Sequence, residues 1–150
     1  KEKIEFVQDN HSRSRKGTLR GLHFQINPEP QSKLIRCISG SIFDVIVDLR
    51  QSSNSFGKWI GLELSDVNKK LFWIPKGFAH GFLTISEYAE VVYKTDNFWF
   101  KDLERTILWN DPFIGIEWPL HKANIKFPLL SDKDALGENL LNVKSKSEIF

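Results

Sequence analysis

Between Ile42 and Leu49 the side chains alternate, with Phe43, Val45, Val47 and Leu49 on one side and Ile42, Asp44, Ile46 and Asp48 on the other. A two-residue period belongs to a strand, not to a helix. Lys58 to Leu64, Lys70 to Ile74, Phe82 to Ile85, Val91 to Tyr93 and Thr106 to Trp109 follow as further short strand segments. Turn signals at Ser39-Gly40, Ser52 to Gly57, Pro75-Lys-Gly77 and Asn110-Asp-Pro112 separate them. Strands this short, interrupted this often, predict an all-β fold: a β-sandwich, a small barrel or a cupin-type jelly roll. One short C-terminal helix is expected from Asp132 to Leu141, capped by Ser131, and the polar tail over 144–150 is expected to fray.

Composition narrows the class. A chain of 150 residues that is 41% hydrophobic fits a single domain, 1–150, burying roughly 70% of its unfolded surface. The formal charge of +2, from 21 cationic and 19 anionic residues without a basic block, sets up no field for nucleic acid. No apolar run approaches the roughly 20 residues needed to span a bilayer, and Lys1 to Glu5 lack the apolar stretch of a signal peptide. Cys37 is the only cysteine and sits inside the apolar run Leu34 to Ile38, so it reads as core, with no internal disulfide. These features predict a cytoplasmic protein with neither a nucleic-acid nor a membrane partner. The absence of methionine, position 1 included, suggests that the sequence begins downstream of a natural start.

The polar residues that break the strand pattern carry the chemistry. In Leu19-Arg-Gly-Leu-His-Phe-Gln25 and at Lys33, a candidate base and two cations sit among packing residues, and a second group follows at Phe78-Ala-His80-Gly-Phe82 and Tyr93-Lys94. His, Lys and Tyr together suit removal of a proton beside a carbonyl: a neutral imidazole takes it, a cation stabilises the enolate and a phenol returns a proton. Nucleophile-elbow, phosphate-loop and dinucleotide-fold motifs are lacking. Many cupins hold a metal with two histidines one residue apart, but here the stretch reads His23-Phe24-Gln25 with no evident carboxylate companion, so no metal is expected. Plainer readings exist: His23 as a satisfied core histidine, His80 bonded to backbone, Tyr93 anchoring a hydroxyl and Asp134 capping its helix. His11 and His121 read as surface residues. Arg20 and His23 have opposite parity, so a shared cavity requires an irregular strand, with Gly21 the natural place.

Several motifs in one register extend the reading. Phe6-Val-Gln-Asp-Asn-His-Ser12, Leu19 to Gln25, Phe43-Asp-Val-Ile-Val-Asp-Leu-Arg50, Phe56-Gly-Lys-Trp59, Trp73-Ile-Pro-Lys-Gly-Phe-Ala-His-Gly-Phe82, Trp109-Asn-Asp-Pro112 and Leu130-Ser-Asp-Lys-Asp134 resemble the dTDP-4-dehydrorhamnose 3,5-epimerases of nucleotide-sugar biosynthesis, from about Phe6 to about Leu141. The resemblance implies an isomerase of cupin fold that works without a cofactor on a dTDP-sugar, as a homodimer. It places His23 at the proton acceptor, Asp134 at the carboxylate that orients it, Tyr93 at the proton donor and Lys33 at the cation near the keto oxygen. Gln8, Asn10, Arg20, His80, Glu104 and Lys133 match substrate-binding positions, and Trp99 falls where the family commonly stacks a tyrosine on thymine.

Family members normally carry several tens of residues ahead of the segment matching Phe6. The expectation is therefore a chain without the family's N-terminal strands, leaving a sheet edge open. Inversion at both C3 and C5, inversion at one centre, ketone isomerisation, and idle nucleotide-sugar binding all remain compatible with the resemblance.

Overall fold

The computed structural model describes residues 3–150; Lys1 and Glu2 lie outside the described residues. Among the described residues nine strands form two antiparallel sheets. They are β1 (Gln8–Arg15), β2 (Leu19–Gln25), β3 (Lys33–Ser39), β4 (Ser41–Asp48), β5 (Trp59–Ser65), β6 (Phe72–Ile74), β7 (Phe78–Thr84), β8 (Tyr88–Thr95) and β9 (Glu104–Thr106). The first sheet runs β1-β8-β3-β6 and the second β5-β4-β7-β2-β9. Consecutive strands mostly change sheets, as in a jelly roll.

The second sheet is a middle layer, which explains why β4 is buried on both faces. Ile42 and Ile46 join Ile35, Cys37, Ile74, Phe82 and Val91 in the core between the sheets. Val45 and Val47 face the other way, into a second core with Leu19, Leu22, Ile107, Trp118, Leu140 and Ile149 that the C-terminal third of the chain covers. A strand covered on both sides reads as a nearly continuous apolar run. β1 is the opposite case: Asp9, His11, Arg13 and Arg15 face solvent at the sheet edge, where charge discourages pairing with another strand.

Gly21 is where the strand departs from a regular ladder. The β2–β7 register pairs Arg20 with Phe82 and then His23 with His80, so it shifts between them, and the Gly21–Leu22 peptide is cis. Gly21 has φ +124°, and a Cβ there would meet the Gly81 Cα at 2.5 Å and the His80 carbonyl at 2.8 Å. No other residue fits. The shift lets Arg20 and His23 line one cavity, as their parity requires.

Two expectations for the C-terminus are corrected. The predicted helix from Asp132 to Leu141 splits into α1 (Asp132–Ala135) and α2 (Leu140–Ser145). Between them, the Leu108 N–H donates to the Glu138 carbonyl and the Glu138 N–H to that of Thr106, each near 3.0 Å, while Gly137 presses on the Ile107 backbone. Sheet-like pairing at a glycine, already costly in a helix, outweighs two more helical turns. The tail expected to fray docks instead: Ile149 is buried, Phe150 meets the Phe24 ring edge-on, and the Gln51 N–H donates to the Phe150 carbonyl. Among the described residues, no helix is long and apolar enough to cross a membrane.

Candidate active site

At one end of the sandwich the inward-facing positions change from apolar to polar. β2 and β7 contribute Arg20, His23 and His80 from one sheet; β3 and β8 contribute Lys33 and Tyr93 from the other. With Ser12, Phe82, Glu104 and Lys133 these side chains line a cavity of about 210 Å³. It continues into a second lobe of about 360 Å³, lined by Gln8, Asn10, Gln31, Thr95 and Trp99, with His23, Lys33, Tyr93 and Glu104 shared between the two. Every residue matched to a site role therefore lines this cleft, except Asp134, which stands behind His23; Lys94, named beside Tyr93, turns to the surface and pairs with Asp9 at 2.9 Å.

That placement of Asp134 gives the histidine its orientation. His23 Nε2–H donates to Asp134 Oδ1 at 2.6 Å, which leaves Nδ1 free to accept a proton. Asp134 is held in turn by the Ser131 hydroxyl at 2.7 Å and the Gly21 N–H at 3.2 Å. Desolvation pushes its carboxyl upward, but the bonds from His23, Ser131 and Gly21 outweigh this and hold it below the usual carboxylate range. Burial lowers the pKa of His23 despite the carboxylate, with Lys133 and Lys33 adding to the effect. The imidazole is thus neutral, oriented and available at ordinary pH.

The facing wall is complementary. Burial pulls the Lys33 ammonium down to about 8, against support from Glu104 and Asp44. It remains cationic at neutral pH yet poorly solvated, which strengthens its attraction for a developing oxyanion. Desolvation, followed by the charge of Glu104, raises the Tyr93 phenol, so it keeps its proton and can give it. At the mouth Lys133 pairs with Glu104 at 2.9 Å, and Arg20 Nε donates to the Ser14 hydroxyl at 3.0 Å.

His80 has a carboxylate that reasoning from the sequence missed. Its Nε2–H reaches both oxygens of Asp44 at 3.0 Å, and Asp44 is fully buried. Desolvation raises the Asp44 carboxyl, opposed by His80 and Lys33. The signal was present in β4: an aspartate at an inward position between Ile42 and Ile46 needs a buried partner. Ser12 and Phe82 also line the cavity without having been singled out. His23 and His80 sit opposite each other, but each Nε2 is committed to its own carboxylate, and among the described residues no group of three His, Cys, Asp or Glu side chains is placed to hold a metal ion. The surface readings of His11 and His121 agree with their exposure.

The chain that carries this cleft matches a known family in sequence and fold. A family model described as dTDP-4-dehydrorhamnose 3,5-epimerase matches residues 1–142. The chain belongs to that family. It is 57% identical over 140 residues to the dTDP-4-dehydrorhamnose 3,5-epimerase of Shigella flexneri, covering 93% of this chain and 75% of that one. The crystal structure of a Legionella pneumophila dTDP-6-deoxy-D-glucose-3,5-epimerase in complex with dTDP-4-keto-L-rhamnose superposes with a TM-score of 0.90 at 44% identity, covering 97% of this chain and 74% of that one. A more distant neighbour is a 3'-monoepimerase from Streptomyces bikiniensis in complex with dTDP-quinovose, at 29% identity and TM-score 0.88, covering 96% and 71%. The cupin-like all-β fold is therefore that of the family.

Proposed function

We propose that this chain is an epimerase that inverts C3 and C5 of a dTDP-4-keto-6-deoxyhexose, turning dTDP-4-dehydro-6-deoxy-D-glucose into dTDP-4-dehydro-L-rhamnose. The observation that carries the reading is the placement of an oriented base and a protonated phenol on opposite walls of one cavity, with an ammonium beside them. Both C3 and C5 adjoin the carbonyl, so each carries an acidified C–H that a single base can address in turn. His23 Nδ1 removes the proton and becomes an imidazolium stabilised by Asp134. Charge builds on the C4 oxygen, where Lys33 neutralises it. Tyr93 then protonates the carbon from the other face, which inverts the centre, and solvent restores both groups.

The rest of the substrate occupies the second lobe. Arg20, Lys133 and His80, the last held by Asp44, bind the sugar end, while Gln8 and Asn10 reach the nucleotide from the second lobe and Glu104 lies between the two. Asn10 Nδ2 is buried without a partner among the described residues, a donor that suits a ligand oxygen. Trp99 offers its indole face to thymine. The chain acts as a single cytoplasmic domain and as a homodimer; exposed Phe6, Ile38, Leu71 and Trp73 on and beside the first sheet support the dimer, which light scattering tests.

Incubating the protein with dTDP-4-dehydro-6-deoxy-D-glucose and reading product configuration by NMR tests the function. Inversion at both centres is expected. Product inverted only at C3 would make this a monoepimerase like the Streptomyces neighbour, and an unchanged sugar that still binds would leave a nucleotide-sugar-binding protein.

A further inference from the structure

Gln25 faces the same way as His23 two residues earlier on β2, yet it lines neither lobe of the cleft. It is only 3% exposed, and its whole amide is engaged. Nε2 donates to the carbonyls of Glu29 and of Phe98, the latter at 3.1 Å, while Oε1 accepts from the Phe100 N–H at 2.8 Å. Two of these three partners belong to the loop after β8. That loop exposes three adjacent rings, Phe98 at 56%, Trp99 at 51% and Phe100 at 42%.

Rings left in solvent contribute little to holding their own backbone. The loop is fixed by polar contacts instead: Gln25, the Gln8 side-chain Oε1 that accepts from the Trp99 N–H at 3.0 Å, and Gln31, whose side chain donates to the Asn97 carbonyl at 2.9 Å. A backbone pinned by side-chain amides with free aromatic faces is a stacking platform whose ordering cost is met before any ligand arrives.

We propose that Gln25 is a positioning residue, tying this aromatic platform to the strand that carries His23. Residues two apart on a strand are separated by about 6.6 Å, so the platform is anchored at a set distance from the base that works on the sugar. The inference rests on the reading of Trp99 as the nucleobase contact. It gives the third position of His23-Phe24-Gln25 a role in substrate placement.

The test compares Gln25→Met, which keeps length and removes all three bonds, with Gln25→Glu, which keeps the acceptor for Phe100 but turns an oxygen toward two carbonyls. KM and kcat are measured on dTDP-4-dehydro-6-deoxy-D-glucose, and dTDP affinity by isothermal titration calorimetry. In Gln25→Met, KM and the dTDP Kd should rise about tenfold while kcat stays within about threefold, and adding Trp99→Ala should cost less than about twofold beyond Trp99→Ala alone. If Gln25→Met does not fold, Gln25→Glu carries the same comparison. A lowered kcat with unchanged dTDP affinity, or additive losses in the double variant, would overturn the proposal. Should Trp99→Ala lose affinity while the Gln25 variants keep it, Gln25 alone is rejected; should Trp99→Ala bind dTDP as wild type does, the nucleobase reading fails and Gln25 loses its role with it.

Discussion

Replacing Asp134 with asparagine removes a charge while nearly preserving shape. The carboxylate accepts from His23 at 2.6 Å, from the Gly21 N–H at 3.2 Å and from the Ser131 hydroxyl at 2.7 Å. An amide can keep its oxygen toward His23 and Gly21 and turn its nitrogen to the Ser131 oxygen, so packing should survive. On the proposed mechanism, what disappears is the attraction for the imidazolium formed when His23 takes the substrate proton. Two unit charges about 4 Å apart attract by about 4 kcal/mol at an effective dielectric near 20. The amide dipole keeps part of this, leaving a loss of about 3 kcal/mol, or on the order of 10²-fold in rate. The assay is solvent-deuterium incorporation at C3 and C5 followed by NMR, with melting temperature and dTDP affinity measured on the same sample. Wild-type exchange from a variant that melts and binds normally would refute the claim that Asp134 powers the base.

Three further outcomes follow from the same geometry. Trp99→Ala should weaken dTDP binding by about 1–3 kcal/mol with little change in melting temperature, because the indole is 51% exposed; unchanged affinity with lost stability would make it a packing residue. The pH profile of kcat/KM should stay level from below pH 6.5, since burial first lowers the pKa of His23, and should fall as pH rises through about 8, where Lys33 loses its proton. Lys33→Arg, which stays charged, should remove that alkaline limb at a lower plateau, and a limb persisting at the same pH would assign it elsewhere. Ile149→Ala should cost about 2–4 kcal/mol in denaturant unfolding because the tail docks in the core, whereas a neutral result would mean the tail contributes nothing.

What the sequence revealed and what it hid divide along physical lines. Alternation exposed β4 because both of its faces are buried, and the clash of parity between Arg20 and His23 foretold the shift at Gly21. β1 was invisible to periodicity, since its inward side is itself polar, with Gln8, Asn10, Ser12 and Ser14. The His23–Asp134 pair joins residues 111 apart in the chain, so only the family resemblance suggested it. Asp44 was legible in principle as a carboxylate inside an apolar strand, but nothing local named His80 as its partner. The helix was overextended because Ser131 and Asp134 mark a start correctly, while the stop depends on tertiary pairing of Glu138 with Thr106 and Leu108.

On the proposed mechanism, one base on one wall and one acid on the other invert both centres through an enolate. Solvent-deuterium wash-in on dTDP-4-dehydro-6-deoxy-D-glucose, compared between wild type, His23→Ala and Tyr93→Phe, tests it most directly. Label is expected at C3 and C5 with wild type, none with His23→Ala, and label without net inversion at one or both centres with Tyr93→Phe. Label at either carbon from His23→Ala at the wild-type rate would contradict this mechanism.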